Sequence, residues 1–566
     1  MRPPPGRDGD AYHRLLGRMC RARRLPRPHP RHATQRRTSV ARPVQKIVIV
    51  GGGTAGWLSA AYLNRAFGSK VEITLVESAR IGRIGVGEAT VPTLRTTLAF
   101  LGMKEEDWMP RTNASFKSAV RFNDWRTPRP GTDRHTFYHP FFTVPEPPVP
   151  SYERPFHKRF GRGVSLAHFW TKLRLAGDSR VRETFGDAGM ALQHLCELNK
   201  APKPLPGSGA PDPGFRYAYH FDAALMAEYL RDLATGRGVR HVVADVTQVT
   251  RDGRGHIDKV ITETGAELTG DLFLDCSGFR GLLINQTLEE PFVSAQDWLL
   301  CDSAIALPAD HHPDGIRPYT SANARPNGWI WEIPLYHREG TGYVYSSRTT
   351  TPDQAEQDLR DFLGPRAHDV PGNHIRMRVG HNRRSWVDNC VAIGLSSCFV
   401  EPLESTTIAL IEYQLALLVL HFPDSELDER RQARYNELMV SAFEDLRDFI
   451  VMHYALTDRT DTEFWRAVRE NPIPDSLAEK LTEYAESVII PDGSQLRLFE
   501  TRSLWAILSG MDFAFTKAPP SVELMSDEAA WQAFEQIDKE REIYAAALPD
   551  NRTYLEAVHA GRADSA

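Results

Sequence analysis

Cysteine is scarce, with six residues in 566 (Cys20, Cys196, Cys276, Cys301, Cys390, Cys398) and no C-x-x-C pair. That usage excludes a disulfide framework and a cysteine-based metal site and fits a reducing, cytoplasmic setting. Long apolar runs are missing too. None approaches the ~18 to 20 residues that cross a bilayer. The best run, IALIEYQLALLVLHF, carries Glu412 inside it, so no membrane span is expected. Histidine clusters such as HTFYH and DHH lack paired ligand spacing, and no metal site is expected. Lysine is absent from residues 1–45, where twelve Arg face only Asp8 and Asp10. With a net charge of -5 overall, that basic stretch leaves roughly -15 on the remainder, which argues against a nucleic-acid-binding body. The stretch RRLPRPHPRHATQRR has no apolar h-region, so it is no secretory signal, and residues 1–45 read as a disordered basic extension.

What is present begins at KIVIVGGGTAGWLSAAYLNRAF. The apolar run Ile47 to Val50 leads directly into Gly51-x-Gly53-x-x-Gly56 and then a helical pattern. This is the strand, glycine turn and helix of a dinucleotide-binding unit, in which glycines let the backbone approach a pyrophosphate held at the helix N-terminus. The following strand, VEITLVES, ends in Glu77, an acid placed for ribose hydroxyls. Two later segments, GDLFLDCSGFRG and VDNCVAIGLSSCF, repeat the pattern of a strand running into a turn of small residues. Three such turns over so long a span suit an extended FAD better than a compact NAD domain. Residues 126–160 and 201–214, rich in Pro, read as loops. From Glu401 onward the pattern is helical. The expected fold is α/β, with a Rossmann-like FAD-binding body over 46–400 and a largely helical part over 401–566 that completes the substrate site.

Three segments carry chemistry. FVEPLESTTIALIEYQ places Glu404 beside a helix start, with Ser405 and Thr406 as cap candidates and backbone amides free to hold a small anion. The plain alternative is that Glu404 and Ser405 only cap the helix. MPRTNASFKSAVRF sets Lys117 among Phe116, Ala119, Val120 and Phe122, where its pKa can fall, although such lysines often reach out to solvent. GWIWEIP alternates Trp329, Trp331 and Ile333 on one strand face with Ile330 and Glu332 on the other.

Taken together, GGGTAGW, IGVGEATVP, WMPRTNASFK, CSGFRGLLINQ, GWIWEIP and SCFVEPLEST resemble the flavin-dependent tryptophan halogenases, in order, from Lys46 to about Leu548. The resemblance implies that a separate flavin reductase supplies FADH2, that O2 and chloride or bromide yield hypohalous acid, and that this acid reaches an indole through a tunnel. Lys117 matches the family's essential lysine and Glu404 its supporting acid. Gly53, Thr54, Ala55, Ser78, Glu88, Val246, Leu395 and Ile408 match FAD contacts, alongside the fingerprint Gly51 and Gly56. Thr406 and Thr407 match the halide-binding amides, and Trp329 and Trp331 the wall that keeps substrate from flavin. The family context is secondary metabolism such as antibiotic biosynthesis, and a homodimer is compatible with it.

Two departures from the pattern bear on function. Thr407 stands where the family often has Gly, which narrows the room beside a halide. His139 and Phe141 supply half of an aromatic sandwich for indole, but PDGSQLRLFETRSLWAILSG is short, lacks the family's tyrosine pair and has Phe499 where Trp is expected. The substrate is therefore free tryptophan or an indole carried in a peptide or other larger molecule. Other reaction classes remain open, an FAD-dependent aromatic monooxygenase that hydroxylates or a flavoprotein scaffold without catalysis. The joint presence of Lys117, Glu404 and the two tryptophans speaks against both.

Overall fold

The strands Lys46–Val50, Leu272–Asp275 and Cys390–Ala392, which the sequence separates by more than three hundred residues, lie side by side and parallel in the computed structural model. Residues 42–80, 87–129, 131–141, 165–489, 498–524 and 526–561 are described. The register pairs Val50 with Asp275 and Asp275 with Ala392. The three small-residue turns therefore emerge together at the carboxyl ends of one six-stranded sheet, the place where open α/β sheets bind nucleotides. Glu72–Glu77 and Arg240–Val243 extend the sheet on one side, and Trp386–Val387 closes it antiparallel on the other. The strand Lys46–Val50 reads as a continuous apolar run because all but its first residue are buried, as expected for a parallel sheet covered on both faces.

A second, seven-stranded sheet carries the chemistry-bearing segments. Its order is Asn373–Arg376, Ser303–Ala309, Glu339–Tyr345, Gly328–Pro334, Tyr319–Arg325, Ala119–Asn123 and Thr136–Pro140. Thr136–Pro140 corrects the sequence expectation of a loop over 126–160. The β-branched and aromatic HTFYHP pairs antiparallel with Ala119–Asn123 as an edge strand, where its terminal proline is tolerated. In Gly328–Pro334 every residue is buried. The expected alternation holds. Trp329, Trp331 and Ile333 join the main core, while Ile330 packs into a separate cluster with Ile305, Leu307 and Tyr343. Glu332, on the Ile330 face, meets Arg366 at 3.0 Å and Arg317 at 3.5 Å in a buried network that also includes Glu339.

Helices dominate after Glu401, including Thr407–Leu420, Glu429–Ala455 and Asp527–Ala547. Pro43–Ala566 forms one unit by its internal contacts. Leu403–Leu420 is apolar enough over 18 residues to cross a bilayer, a longer stretch than the sequence reading allowed, and 67% of it is buried by the protein. It is a core helix by burial. The five cysteines among the described residues are free and buried.

Candidate active site

The flavin end is built on the first glycine turn. Gly51 has φ +115, and an added Cβ would overlap the carbonyl oxygen of Cys276 on the neighbouring strand turn. Gly56 packs as closely on the carbonyl of Gly51, whereas a Cβ at Gly53 would meet nothing within 4 Å. Gly53 therefore opens onto a cavity and Gly56 fastens helix Thr54–Phe67 to the sheet. That cavity measures about 550 Å³, inside the ~300 to 1,000 Å³ range of cofactor sites. It is lined by Gly51, Gly53, Thr54, Ala55, Ser78, Glu88, Val246, Leu395 and Ile408. All the expected cofactor residues reach it except Gly56, whose role is packing. Glu88 is half-buried in the cavity wall, and desolvation pushes its carboxyl up to about 7, so it can stay neutral and donate a hydrogen bond. Glu77 also lines the cavity, and His241 Nε2 donates to its Oε1 at 2.8 Å. The residues present thus fit FAD, with glycines where backbone must approach phosphate and a helix N-terminus facing the cavity. Gly51→Ala is expected to abolish flavin binding, read as loss of flavin fluorescence quenching on titration, because both the left-handed backbone and the Cys276 carbonyl oppose a side chain.

The same cavity touches Thr407 and Ile411, the first turns of helix Thr407–Leu420. Thr406 caps this helix by position but not by its side chain, since its Oγ1 is buried with no hydrogen-bond partner. The first amides of a helix lack intrahelical partners. The orphaned Thr406 hydroxyl adds a further donor beside them.

Preceding the helix, Glu404 and Ser405 both adopt left-handed backbone, with φ 66 and 62. Each costs of order 1 to 2 kcal/mol in a non-glycine residue, and their side chains show what holds them. Lys117 Nζ donates to Ser405 Oγ at 3.0 Å. His139 Nδ1 donates to both Glu404 carboxylate oxygens at 2.9 Å, and His453 Nε2 lies 3.1 Å from Oε1. Neither residue caps the helix, so the plain alternative is set aside. Lys117 does not reach solvent. It ends the short strand Ser115–Lys117, is 0% exposed, and holds its ammonium 5.4 Å from the Phe141 ring. Burial depresses its pKa to about 7 although Glu404 pulls it upward. For Glu404 burial acts the other way, yet the charge and hydrogen bonds of His139, with those of His453, hold its carboxyl at about 2. A lysine near neutrality thus sits beside a carboxylate that stays ionised.

Next to this pair lies an aromatic cluster. Phe449 and Phe499 stack at 3.8 Å with planes 14° apart, and His139 lies 6.0 and 5.9 Å from them. Residues 490–497, which include the first seven residues of the shortened segment, lie outside the described residues. On the other flank, Trp329 and Trp331 meet edge to face at 6.4 Å. Trp329 Nε1 donates to Glu401 Oε1 at 3.3 Å, and Tyr454 OH donates to the same oxygen at 2.6 Å.

Sequence reasoning missed Phe449, His453 and Tyr454, all on the last turns of helix Glu429–Ala455. One signal was available. His453 interrupts the apolar run FIVM and stands four residues after Phe449, on the same helix face. Among the described residues no cluster of three or more His, Cys, Asp or Glu is placed to hold a metal ion.

The family model described as tryptophan halogenase matches residues 46–527. The chain belongs to the tryptophan halogenase family. A tryptophan 6-halogenase from Streptomyces toxytricini, SttH, is 42% identical over 91% of this chain and 98% of its own. A solved structure of a tryptophan C-6 flavin-dependent halogenase from taromycin biosynthesis superposes with a TM-score of 0.81 at 43% identity, covering 91% of this chain and 99% of its own. MibH, a lanthipeptide tryptophan 5-halogenase, is 28% identical with a TM-score of 0.76, covering 94% and 95%. The mixed α/β fold is that of flavin-dependent halogenases, and as a tryptophan halogenase the chain is a flavin-dependent enzyme, which disfavours the hydroxylase alternative.

Proposed function

We propose that this tryptophan halogenase receives FADH2 from a separate flavin reductase and uses O2 with chloride or bromide to halogenate the indole ring of free tryptophan. The observation that carries the reading is the polar line Lys117–Ser405–Glu404, which runs beside a flavin-sized cavity at Thr407 and an aromatic cluster at His139 and Phe499. When bound, reduced FAD with O2 supplies the oxidising equivalent that turns halide into hypohalous acid. Gly51, Gly53, Thr54, Ala55, Ser78, Glu88, Val246, Leu395 and Ile408 would hold the cofactor, and the amides near Thr406 and Thr407 the halide.

The remaining work falls to the chain. Lys117, as an ammonium, donates a hydrogen bond to the oxygen of the hypohalous acid and polarises its halogen. The indole electron pair forms the new carbon–halogen bond, and the oxygen leaves with the old bond's pair and a proton from the Lys117 ammonium, as water. Glu404 stabilises the positive charge on the ring and takes the ring proton. Trp329 and Trp331 separate flavin from substrate, and His139, Phe141 and Phe499 flank the indole. In this reading residues 46–400 form the flavin-binding body and 401–566 complete the substrate site.

Free tryptophan is favoured over a peptide because SttH, whose name specifies tryptophan, resembles this chain more closely than MibH, whose name specifies a lanthipeptide. Turnover with FAD, a reductase, NADH, O2 and bromide tests this. Free tryptophan is expected to give a product with the paired bromine isotope pattern, and a tryptophan-containing peptide is expected to give none. Bromination of the peptide alone would overturn the substrate assignment.

A further inference from the structure

Glu404 is gripped from two sides, and the proton count on one side is unusual. His453 Nδ1 lies 2.8 Å from the carbonyl oxygen of Phe449, and its Nε2 lies 3.1 Å from Glu404 Oε1. A carbonyl oxygen can only accept, so Nδ1 carries a hydrogen. An ionised carboxylate also only accepts, so Nε2 must carry one as well. A neutral histidine has one ring hydrogen to give. The pair therefore holds one proton more than a neutral imidazole beside a carboxylate.

We propose that His453 is a positioning residue for halogenation, a doubly protonated imidazolium that keeps Glu404 ionised and correctly aimed until it takes the ring proton. The inference rests on the role assigned to Glu404 above.

The surroundings decide where the shared proton sits. The ring of His453 is fully buried, with Phe122 at 5.1 Å, Phe449 at 5.1 Å and Trp125 at 6.4 Å. None of these rings carries charge. The charged and titratable groups it faces are Glu404 directly and, across that carboxylate, His139 from the edge strand and Lys117 from the strand Ser115–Lys117. On its own helix the neighbouring Tyr454 points to Glu401 instead. The Glu404 carboxylate faces both this cation and the Lys117 ammonium, and the His139 Nδ1 hydrogen bonds to both of its oxygens favour that anion further. The depressed carboxyl of Glu404 agrees with this arrangement. Consecutive residues of one helix end thus tend the two glutamates of the EPLE stretch, His453 one and Tyr454 the other.

The ionised carboxylate serves the chemistry twice. It opposes the positive charge that develops on the indole, and it remains free to accept the ring proton, which a protonated carboxyl could not do. With His453 removed, burial would raise the proton affinity of Glu404, and the working carboxylate would be lost at a higher pH than in the wild-type enzyme.

Two measurements test this. In protein labelled with nitrogen-15 at histidine, without halide or substrate, the ring nitrogens of His453 are both expected to show protonated shifts at neutral pH. The resonance is identified by its loss in His453→Gln or, should that variant not fold, by its displacement in Tyr454→Phe. An unprotonated Nε2 would overturn the proposal, whatever the fate of the halogenation mechanism. In kinetics, His453→Gln keeps a donor to Glu404 but removes the charge. Its acid limb in kcat is expected to move up by about 1 to 3 pH units, the effect of losing a nearby opposite charge, with little change in KM. A uniform loss of rate at every pH would mean a packing role and would overturn it.

Discussion

Lys117→Met is expected to abolish halogenation while making the protein more stable. The lysine is fully buried, and burial depresses its pKa from an ordinary 10.5 to about 7. The sign of the linkage follows directly. The unfolded chain binds this proton more tightly, so the cost to the folded state is fully present below pH 7 and disappears as pH rises toward 10.5. Its size is on the order of 5 kcal/mol, net of the upward pull of Glu404. Methionine fills a similar volume and carries no charge. Thermal unfolding at pH 6 and at pH 10 checks this, with a gain in Tm expected at the lower pH and little at the higher. Activity moves the opposite way. Without the ammonium nothing polarises the oxidant, and product formation is expected to fall by about 10²-fold or more, while oxidation of reduced flavin continues. The wild-type rate is expected to decline as pH rises through about 7, as the ammonium is lost. A rate that rises through that range would mean that the neutral amine is the working form.

Glu404→Gln is the second large effect. The side chain keeps its shape and a carbonyl to accept from His139, but it can no longer take a proton or oppose charge on the ring. A loss of about 10² to 10⁴ in kcat with KM little changed is expected, the range of a lost general base. Stability should fall as well. Because the carboxyl is held at about 2 in the folded protein, it contributes stability that is complete above an ordinary 4.5 and is lost as pH falls toward 2. At pH 7 the substitution is expected to cost about 3 kcal/mol, measured by chemical denaturation, and this loss should vanish near pH 2. Retained kcat in a folded Glu404→Gln protein would remove the carboxylate from the mechanism.

The flavin end of the fold was legible in the sequence because its constraints are local. A strand, Gly51-x-Gly53-x-x-Gly56 and a helix fix one another by backbone geometry, and the three small-residue turns converge because parallel strands bring their carboxyl ends to one edge. The alternation of GWIWEIP was legible for the same reason. The edge strand Thr136–Pro140 was not, because its terminal and nearby prolines outweighed the strand-forming Thr136, Phe137 and Tyr138, whose partner, Ala119–Asn123, is set by tertiary contact. Nor was the way Glu404 is held. His139 and His453 come from an edge strand and a helix end 265 and 49 residues away from it, and no local pattern joins them. The left-handed backbone at Glu404 and Ser405 has no residue signature either, since glycine is absent from both positions.

In the proposed mechanism, oxidising power reaches the indole as halogen and never as oxygen taken directly from the flavin. Omitting halide tests it most directly. Wild-type protein with FAD, reductase, NADH, O2 and free tryptophan is run in halide-free buffer and again with bromide, and products are weighed by mass spectrometry against NADH consumed. Brominated tryptophan is expected with bromide and unmodified tryptophan without it, flavin oxidation proceeding in both. Tryptophan carrying an added oxygen in halide-free buffer would contradict it.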